Sequence, residues 1–306
     1  MSIPNPIKKR IQKLKNEYDK FRKGKESLLK LIDEAEIPES VYNSNAIENS
    51  TLTLKETEKI LLEMEVSRDV SVREVFEAKN LSRVINYIWD KSRGAEIDKK
   101  LILLLHQMLI GGINDDFAGR FRKPGEYVRV GTYIAPAPEK VESMIKAIFN
   151  EYVSDLEKYF GDKIAKFHLD FETVHPFCDG NGRIGRVLMN YQLLRLGLPM
   201  VIIRDKEKMR YYKSFGDYRY SKNTKTMEKV FTLALAESLH KRIAYLKGEE
   251  IIKLTDYAKK NSKSVHNLLN AARRQNIPAF REKGVWKIGA AFVNKKSNKK
   301  SRLILS

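Results

Sequence analysis

The stretch His175-Pro-Phe-Cys-Asp-Gly-Asn-Gly-Arg-Ile-Gly-Arg186 packs a base, a carboxylate, three glycines, an asparagine and two arginines into twelve residues. No ordinary core segment needs that mixture. Upstream, Ile164, Phe167, Phe171 and Val174 recur at helical spacing, and Pro176 biases His175 away from the helical region, so a first helix should stop near the histidine. Downstream, Ile184, Val187, Leu188 and Tyr191 repeat the period. The stretch therefore reads as a loop between two buried helices.

Glycine tolerates positive φ and lets an anion approach the backbone, so Gly180-Asn181-Gly182 can turn successive N–H groups inward. Ahead of a helix N-terminus such a loop suits phosphate. Arg183 and Arg186, three apart, share a helical face and add two forks for phosphate oxygens, while Asp179 suits a hard cation such as Mg²⁺. His175 can take a proton at neutral pH. Singly, each has a plain reading: a structural histidine, a glycine turn, a solvated arginine face. Together they describe transfer of a phosphorus-centred group to a hydroxyl.

Residues 175–186 resemble, position by position, the Fic motif H-P-F-x-(D/E)-G-N-G-R-x-x-R, with Cys178 at a variable position. The resemblance implies a mainly α fold, a Fic-type helical bundle with a short β-hairpin flap. It also implies an activity: AMP, or less often another phosphate-containing group, moves from a nucleotide to a protein hydroxyl. By that resemblance His175 would deprotonate the acceptor, Asp179 would hold Mg²⁺ against the phosphates of ATP, and Gly180, Asn181, Gly182, Arg183 and Arg186 would grip those phosphates.

Within the same resemblance, Ser44-Asn-Ala-Ile-Glu48-Asn49 is similar to the family's inhibitory motif. Ser44 and Glu48 lie one helical turn apart. Glu48 paired with Arg186 would take the place of the ATP γ-phosphate and leave the nucleotide in an unproductive pose. Gly119-Arg-Phe-Arg122, the turn at Pro124-Gly125 and the strand candidate Tyr127–Ile134 resemble the flap that holds a target segment by strand addition, with Val128, Arg129, Val130, Gly131 and Thr132 as docking residues. Tyr211 and Tyr212 are candidates for stacking on adenine, although one packing in the core is equally consistent. The family's following asparagine has no clear counterpart among Tyr218, Arg219 and Tyr220.

Elsewhere, residues 7–36 read as a charged amphipathic helix broken near Gly24 and ended by Pro38. Residues 71–92, 97–112 and 139–160 read as further helices, with Leu101, Leu104, Leu105 and Met108 on one apolar face and Met144, Ile148 and Val153 on another. His106 reads as a packing or surface residue, and His168, seven residues before His175 on the same side of its helix, as a core histidine or a support of the site. The chain beyond residue 245 reads as helix, turn, helix and wing, resembling a winged helix-turn-helix of the excisionase type. There Asn267, Asn270, Arg273 and Arg274 would face DNA, extended by Lys295, Lys296, Lys299, Lys300 and Arg302. This divides the chain into an N-terminal helical region (1–70), a Fic core (71–245) and a small C-terminal winged-helix domain (246–306).

Composition agrees with a soluble chain: 42% hydrophobic and 32% charged residues, one cysteine and no apolar run of membrane-spanning length. The single cysteine rules out an internal disulfide framework and fits the cytoplasm. Of the net charge of +19, most falls from Lys241 onward, where 17 Lys and Arg face 4 Asp and Glu. That asymmetry points to an anionic partner, most simply nucleic acid. The expected function is self-inhibited protein adenylyltransferase, using ATP on a Ser, Thr or Tyr hydroxyl of another protein or of itself. Two alternatives are removal of AMP by water aligned on Glu48, and a DNA-binding regulator whose Fic unit senses nucleotide. A homodimer stays open.

Overall fold

The computed structural model describes residues 3–66, 69–92, 94 and 96–293. Packing groups the chain into two units, Met1–Lys9 with Asp33–Ala234, and Arg10–Ile32 with Leu235–Ser306. These limits differ from the expected 1–70, 71–245 and 246–306.

In chain order the helices are α1 (Asn5–Arg22), α2 (Glu26–Ile47), α3 (Leu54–Glu58), α4 (Val72–Lys91) and α5 (Lys99–Ile110). Strands β1 (Arg129–Val130) and β2 (Tyr133–Ile134) follow, then α6 (Pro138–Ser154), α7 (Phe160–Val174), α8 (Asn181–Arg195), α9 (Lys208–Ser221) and α10 (Lys225–Leu246). The architecture is mainly helical, as expected.

The first unit's core is gathered on α7 and α8. Ile164, Phe167, Phe171 and Val174 are buried on α7, and Ile184, Val187, Leu188 and Tyr191 on α8, the spacing read from the sequence. Leu81, Val84, Ile85 and Ile88 of α4 and Leu101, Ile102, Leu105 and Leu109 of α5 are buried in the first unit's core. Leu104 is exposed, because the buried stripe of α5 runs through Ile102 and Leu109 instead. On α6 the stripe is Val141, Ile145 and Ile148, leaving Val153 exposed, and the helix stops at Ser154 before α7 begins at Phe160.

One further expectation changes. Pro38 does not end the helix; it lies inside α2. Proline forfeits one backbone bond, but the turns that follow it are held by tertiary contacts. Arg204 pairs with buried Glu39, Asn43 Oδ1 accepts the Asp205 N–H at 3.0 Å, and Arg186 bonds Ser44. The expected short hairpin is present within the strand candidate 127–134: Arg129 lies opposite Ile134 and Val130 opposite Tyr133, turned at Gly131. Gly131 adopts a φ of +60°, which a single strand could not accommodate.

The second unit contains β3 (Ile251–Lys253), α11 (Leu254–Lys260), α12 (Val265–Arg273), β4 (Phe280–Glu282) and β5 (Val285–Gly289), with sheet order β3-β5-β4. Ser264 caps α12 by accepting from the Asn267 N–H. Leu254, Tyr257, Leu268, Ala272, Ile277 and Ile288 form its core. Lys295, Lys296, Lys299, Lys300 and Arg302 lie outside the described residues. No helix among the described residues is long and apolar enough to cross a membrane.

Candidate active site

Helix α7 ends because Pro176 cannot continue it. His175 takes a left-handed conformation with φ +51° and gives its N–H to Phe171 O at 2.9 Å. Of the carbonyls orphaned at that terminus, buried Arg122 takes His175 O and Val174 O, Tyr133 OH takes Thr173 O and Arg219 takes Glu172 O; Arg122 also donates to Glu126 O and Pro136 O. One guanidinium thus fixes both the histidine's backbone and the base of the hairpin.

Two other groups pin the loop. Asn181 accepts from the Phe177 N–H and donates to Phe177 O, at 2.9 and 2.8 Å. Its amide braces the backbone and is not turned outward toward a ligand. The ring of Phe177 stacks on His106 with centroids 3.7 Å apart. Gly119 N–H donates to His106 Nδ1, so Nε2 carries the proton and donates to Asp179 O at 3.1 Å. Burial holds His106 down to about 4, which keeps that neutral tautomer.

Helix α8 starts from Gly180 at φ +78° without a side-chain cap. Among the described residues the N–H groups of Asn181, Gly182 and Arg183 have no acceptor. A pinned loop leading to an uncapped helix end is a ready seat for an anion. Space over it is tight: a Cβ on Gly182 would stand 2.2 Å from Glu48 Oε1.

Arg183 and Arg186 turn to different partners. Arg183 pairs with Glu77 at 3.1 Å and Asp179 at 3.0 Å. Asp179 also accepts from Gly180 N–H and from Arg73, both at 2.5 Å. Burial alone would raise Asp179, but Arg183, Arg73 and the Gly180 N–H hold its carboxyl below the usual range. Arg186 donates to Ser44 Oγ (2.9 Å), Ser44 O (2.8 Å), Glu48 Oε1 (2.9 Å) and Tyr211 OH (3.3 Å).

These contacts build the end of α2 into the site. Its last carbonyls would be orphans. Arg186 takes Ser44 O, Lys208 takes Ala46 O and Tyr212 OH takes Ile47 O. Asn49 then turns the chain at φ +71°, a conformation asparagine tolerates, and its Oδ1 accepts from Lys208. Glu48 is thereby delivered onto Arg186.

Glu48, His175, Gly182, Tyr211, Tyr212, Phe215, Arg219, Glu172 and the hairpin's Val130 and Gly131 line one cavity of about 410 Å³. Burial pushes His175 down to about 4, so its ring is neutral at pH 7 and able to accept a proton. Burial pushes Glu172 up to about 8, with the Glu48 charge adding to the shift and Arg186 and Arg219 opposing it. The ring of Tyr211 is fully buried and its hydroxyl is spent on His168 and Arg186, so it is not free to stack on a base. Tyr212, 38% exposed, has the available face. In the hairpin, Ala135 N–H bonds Val128 O, Arg129 bonds Gly131 O, and Thr132 is exposed.

Sequence reading did not single out Arg73, Glu77 or Glu172, and it did not assign Arg219 a contact. Arg219 lies over the Tyr133 ring at 3.9 Å. Arg73 reaches Asp179, Glu77 reaches Arg183 and Arg219 reaches Tyr133, all far along the chain, so local spacing does not announce those contacts; Glu172 lies one turn before His175. Gly185 carried one usable signal: a Cβ there would meet Glu172 Oε1 at 2.5 Å and His168 at 2.9 Å, so the small residue between the two arginines reports a crowded interior.

Residues 96–193 match the model of the Fic/DOC family. In sequence the chain is similar to the protein adenylyltransferase Fic of Nematostella vectensis, at 34% identity over 191 residues, covering 58% of this chain and 44% of the relative. The protein adenylyltransferase Fic of Drosophila willistoni is 33% identical over 177 residues, covering 56% and 35%. The chain thus spans less than half the length of these curated relatives. Among solved structures, Fic-1 from C. elegans superposes with a TM-score of 0.67 at 26% identity, covering 78% of this chain and 71% of that one. A Fic domain containing signaling protein from Bacteroides thetaiotaomicron shares the fold, with a TM-score of 0.72 at 22% identity over 78% of this chain and 97% of the other.

Proposed function

We propose that the chain is a self-inhibited protein adenylyltransferase that moves AMP from ATP to a Ser, Thr or Tyr hydroxyl of a protein, itself included. The observation that carries this reading is the bond between Glu48 Oε1 and Arg186 beside the uncapped start of α8, in the cavity that His175 also lines. An anion already occupies an anion seat. His175 takes the acceptor's proton, the hydroxyl oxygen attacks the α-phosphorus, and the bond to the β-phosphate oxygen breaks to release pyrophosphate. The three free N–H groups of α8 and Arg186 stabilise the phosphate charge, and catalysis is mainly positioning and electrostatics.

Asp179 beside the phosphate seat fits Mg²⁺, since one carboxylate with substrate oxygens and water is the donor set that ion accepts. When bound, it would neutralise phosphate charge. The β1–β2 hairpin, with its open edge beside His175, would hold the target by strand addition, so main-chain bonds select an extended segment over a particular sequence.

Incubation of the purified protein with Mg²⁺, a heat-inactivated cell lysate and ATP labelled at the α- or the γ-phosphate tests this. Protein should retain the α label and not the γ label, more strongly with Glu48→Gly and not at all with His175→Ala. Retention of the γ label would identify a kinase instead.

For the second unit we propose a winged helix-turn-helix that contacts DNA through α12, where Asn267, Arg273 and Arg274 are exposed and Asn270 partly so. Gel shifts with the full chain should weaken steeply as salt rises. Salt-insensitive binding, or none, would reject it.

A further inference from the structure

The second unit holds a separate cavity of about 540 Å³, within the usual size of a small-molecule site. One face of α1 lines it, with Arg10, Lys13, Leu14 and Glu17 at i, i+3, i+4 and i+7. His240, Ile243, Ala244 and Lys247 repeat that spacing at the end of α10, and Ile277 and Phe292 close the apolar wall.

Its charges do not cancel. Lys247 takes both acids, Glu17 at 2.5 Å and Glu249 at 3.9 Å. Arg10 and Lys13 have no acid partner among the described residues, and burial holds Arg10 below its ordinary value with nothing to offset it. A half-buried guanidinium without a counter-charge is costly, and an incoming anion would recover that cost.

His240 narrows the anion's identity. Gln275 Nε2 donates to Ala272 O and Ala279 O, which fixes its Oε1 as an acceptor for His240 Nδ1–H at 2.8 Å. Nε2 of the neutral ring is then a lone pair. Burial keeps the ring neutral, at about 4, with Arg10 lowering it and the Gln275 bond, Glu17 and Glu237 raising it. A carboxylate or sulfate offers such a nitrogen only repulsion. A phosphate monoester carrying one proton offers it an O–H, and has oxygens left for the two cations.

We propose that this cavity binds a phosphate monoester with an apolar body, its oxygens on Arg10 and Lys13, its P–O–H on His240 Nε2 and its body against Ile243, Ile277 and Phe292. The site is separate from the loop at His175 and does not depend on the adenylyltransferase reading.

The test uses the full chain and 1-naphthyl phosphate, followed by calorimetry and by methyl resonances of Ile243 and Ile277. Saturable binding is expected, with shifts at both isoleucines, unchanged by excess ATP and weakened roughly tenfold by Arg10→Gln. 1-Naphthyl sulfate, which lacks the proton, should bind more weakly. Phosphatidic acid vesicles distinguish a lipid headgroup from a free ester, and the free ester should bind without them. The proposal is overturned by equal affinity in Arg10→Gln, by equal affinity for the sulfate, by shifts absent from Ile243 and Ile277, or by Arg10-dependent vesicle binding with no response to the soluble ester.

Discussion

Replacing Glu48 with glycine should release the loop by an amount the geometry bounds. Arg186 gives Glu48 one N–H at 2.9 Å, and the Glu48 side chain keeps 34% of its exposure, so solvent screens part of the attraction. Discounted for that, the pair is worth about 1–2 kcal/mol. Arg186 keeps Ser44 and Tyr211 as partners in the variant, so its fork stays aimed at the vacated seat. The population able to take a γ-phosphate then rises roughly fivefold to thirtyfold, and better alignment of the α-phosphate multiplies the gain. Initial rates of label transfer from α-labelled ATP, measured on purified protein, read this directly. Glu48→Gln keeps the bulk above Gly182 but loses the charge, so its rate should fall between wild type and Glu48→Gly. A Glu48→Gly rate within twofold of wild type would refute the reasoning.

Other outcomes follow from the same geometry. His175→Ala in the Glu48→Gly background should cut transfer by about a hundredfold or more. Because burial holds His175 near 4, the acid limb of the Glu48→Gly pH–rate profile should appear only toward pH 4, and an acid limb at the ordinary 6.5 would contradict the buried base; a change on the alkaline side, below the 8 that Glu172 has with Glu48 present, would report Glu172 losing its proton. His106, His168 and His175 are all lowered from 6.5 by burial, so the unfolded chain binds protons first as pH drops. The histidines' contribution should be complete above pH 6.5 and fall toward pH 4 by up to about 1.4 kcal/mol per unit per histidine, offset by one such increment from Glu172, whose raised carboxyl is stabilising below 8; three histidines against one carboxyl leave a net loss that thermal melts at pH 7.5 and 5 would detect. Arg122→Ala strands four carbonyls and should cost about 3 kcal/mol, read as a fall in denaturant midpoint. Arg73→Ala frees one Asp179 oxygen from an exposed pair and should lower the Mg²⁺ needed for half-maximal transfer, by at most about fivefold.

The loop and its two flanking helices were legible in the chain because local rules set them: the 3.6-residue period of α7 and α8, the proline after His175 and glycine at φ +78°. The meeting of Ser44 and Glu48 with Arg186 was legible only through motif resemblance, since their bonds cross 142 and 138 residues. Arg122 and Arg73 cross 53 and 106 residues to reach the loop, and no spacing announces that. Tyr211 and Tyr212 show the limit of local reading: adjacent tyrosines on α9, one fully buried and one 38% exposed, are separated by what packs against the helix. Pro38 failed as a stop signal for the same reason, because tertiary bonds at Glu39, Asn43 and Ser44 hold the turns that follow it.

The central claim is that Glu48 and the γ-phosphate of ATP compete for Arg186. A crystal structure of the Glu48→Gly protein with Mg²⁺ and a non-hydrolysable ATP analogue measures that competition. The γ-phosphate should lie within hydrogen-bond distance of Arg186, with the phosphate chain over the Gly182 N–H and the α-phosphorus facing His175. Nucleotide bound elsewhere, or a γ-phosphate remote from Arg186 with Glu48 gone, would contradict the account.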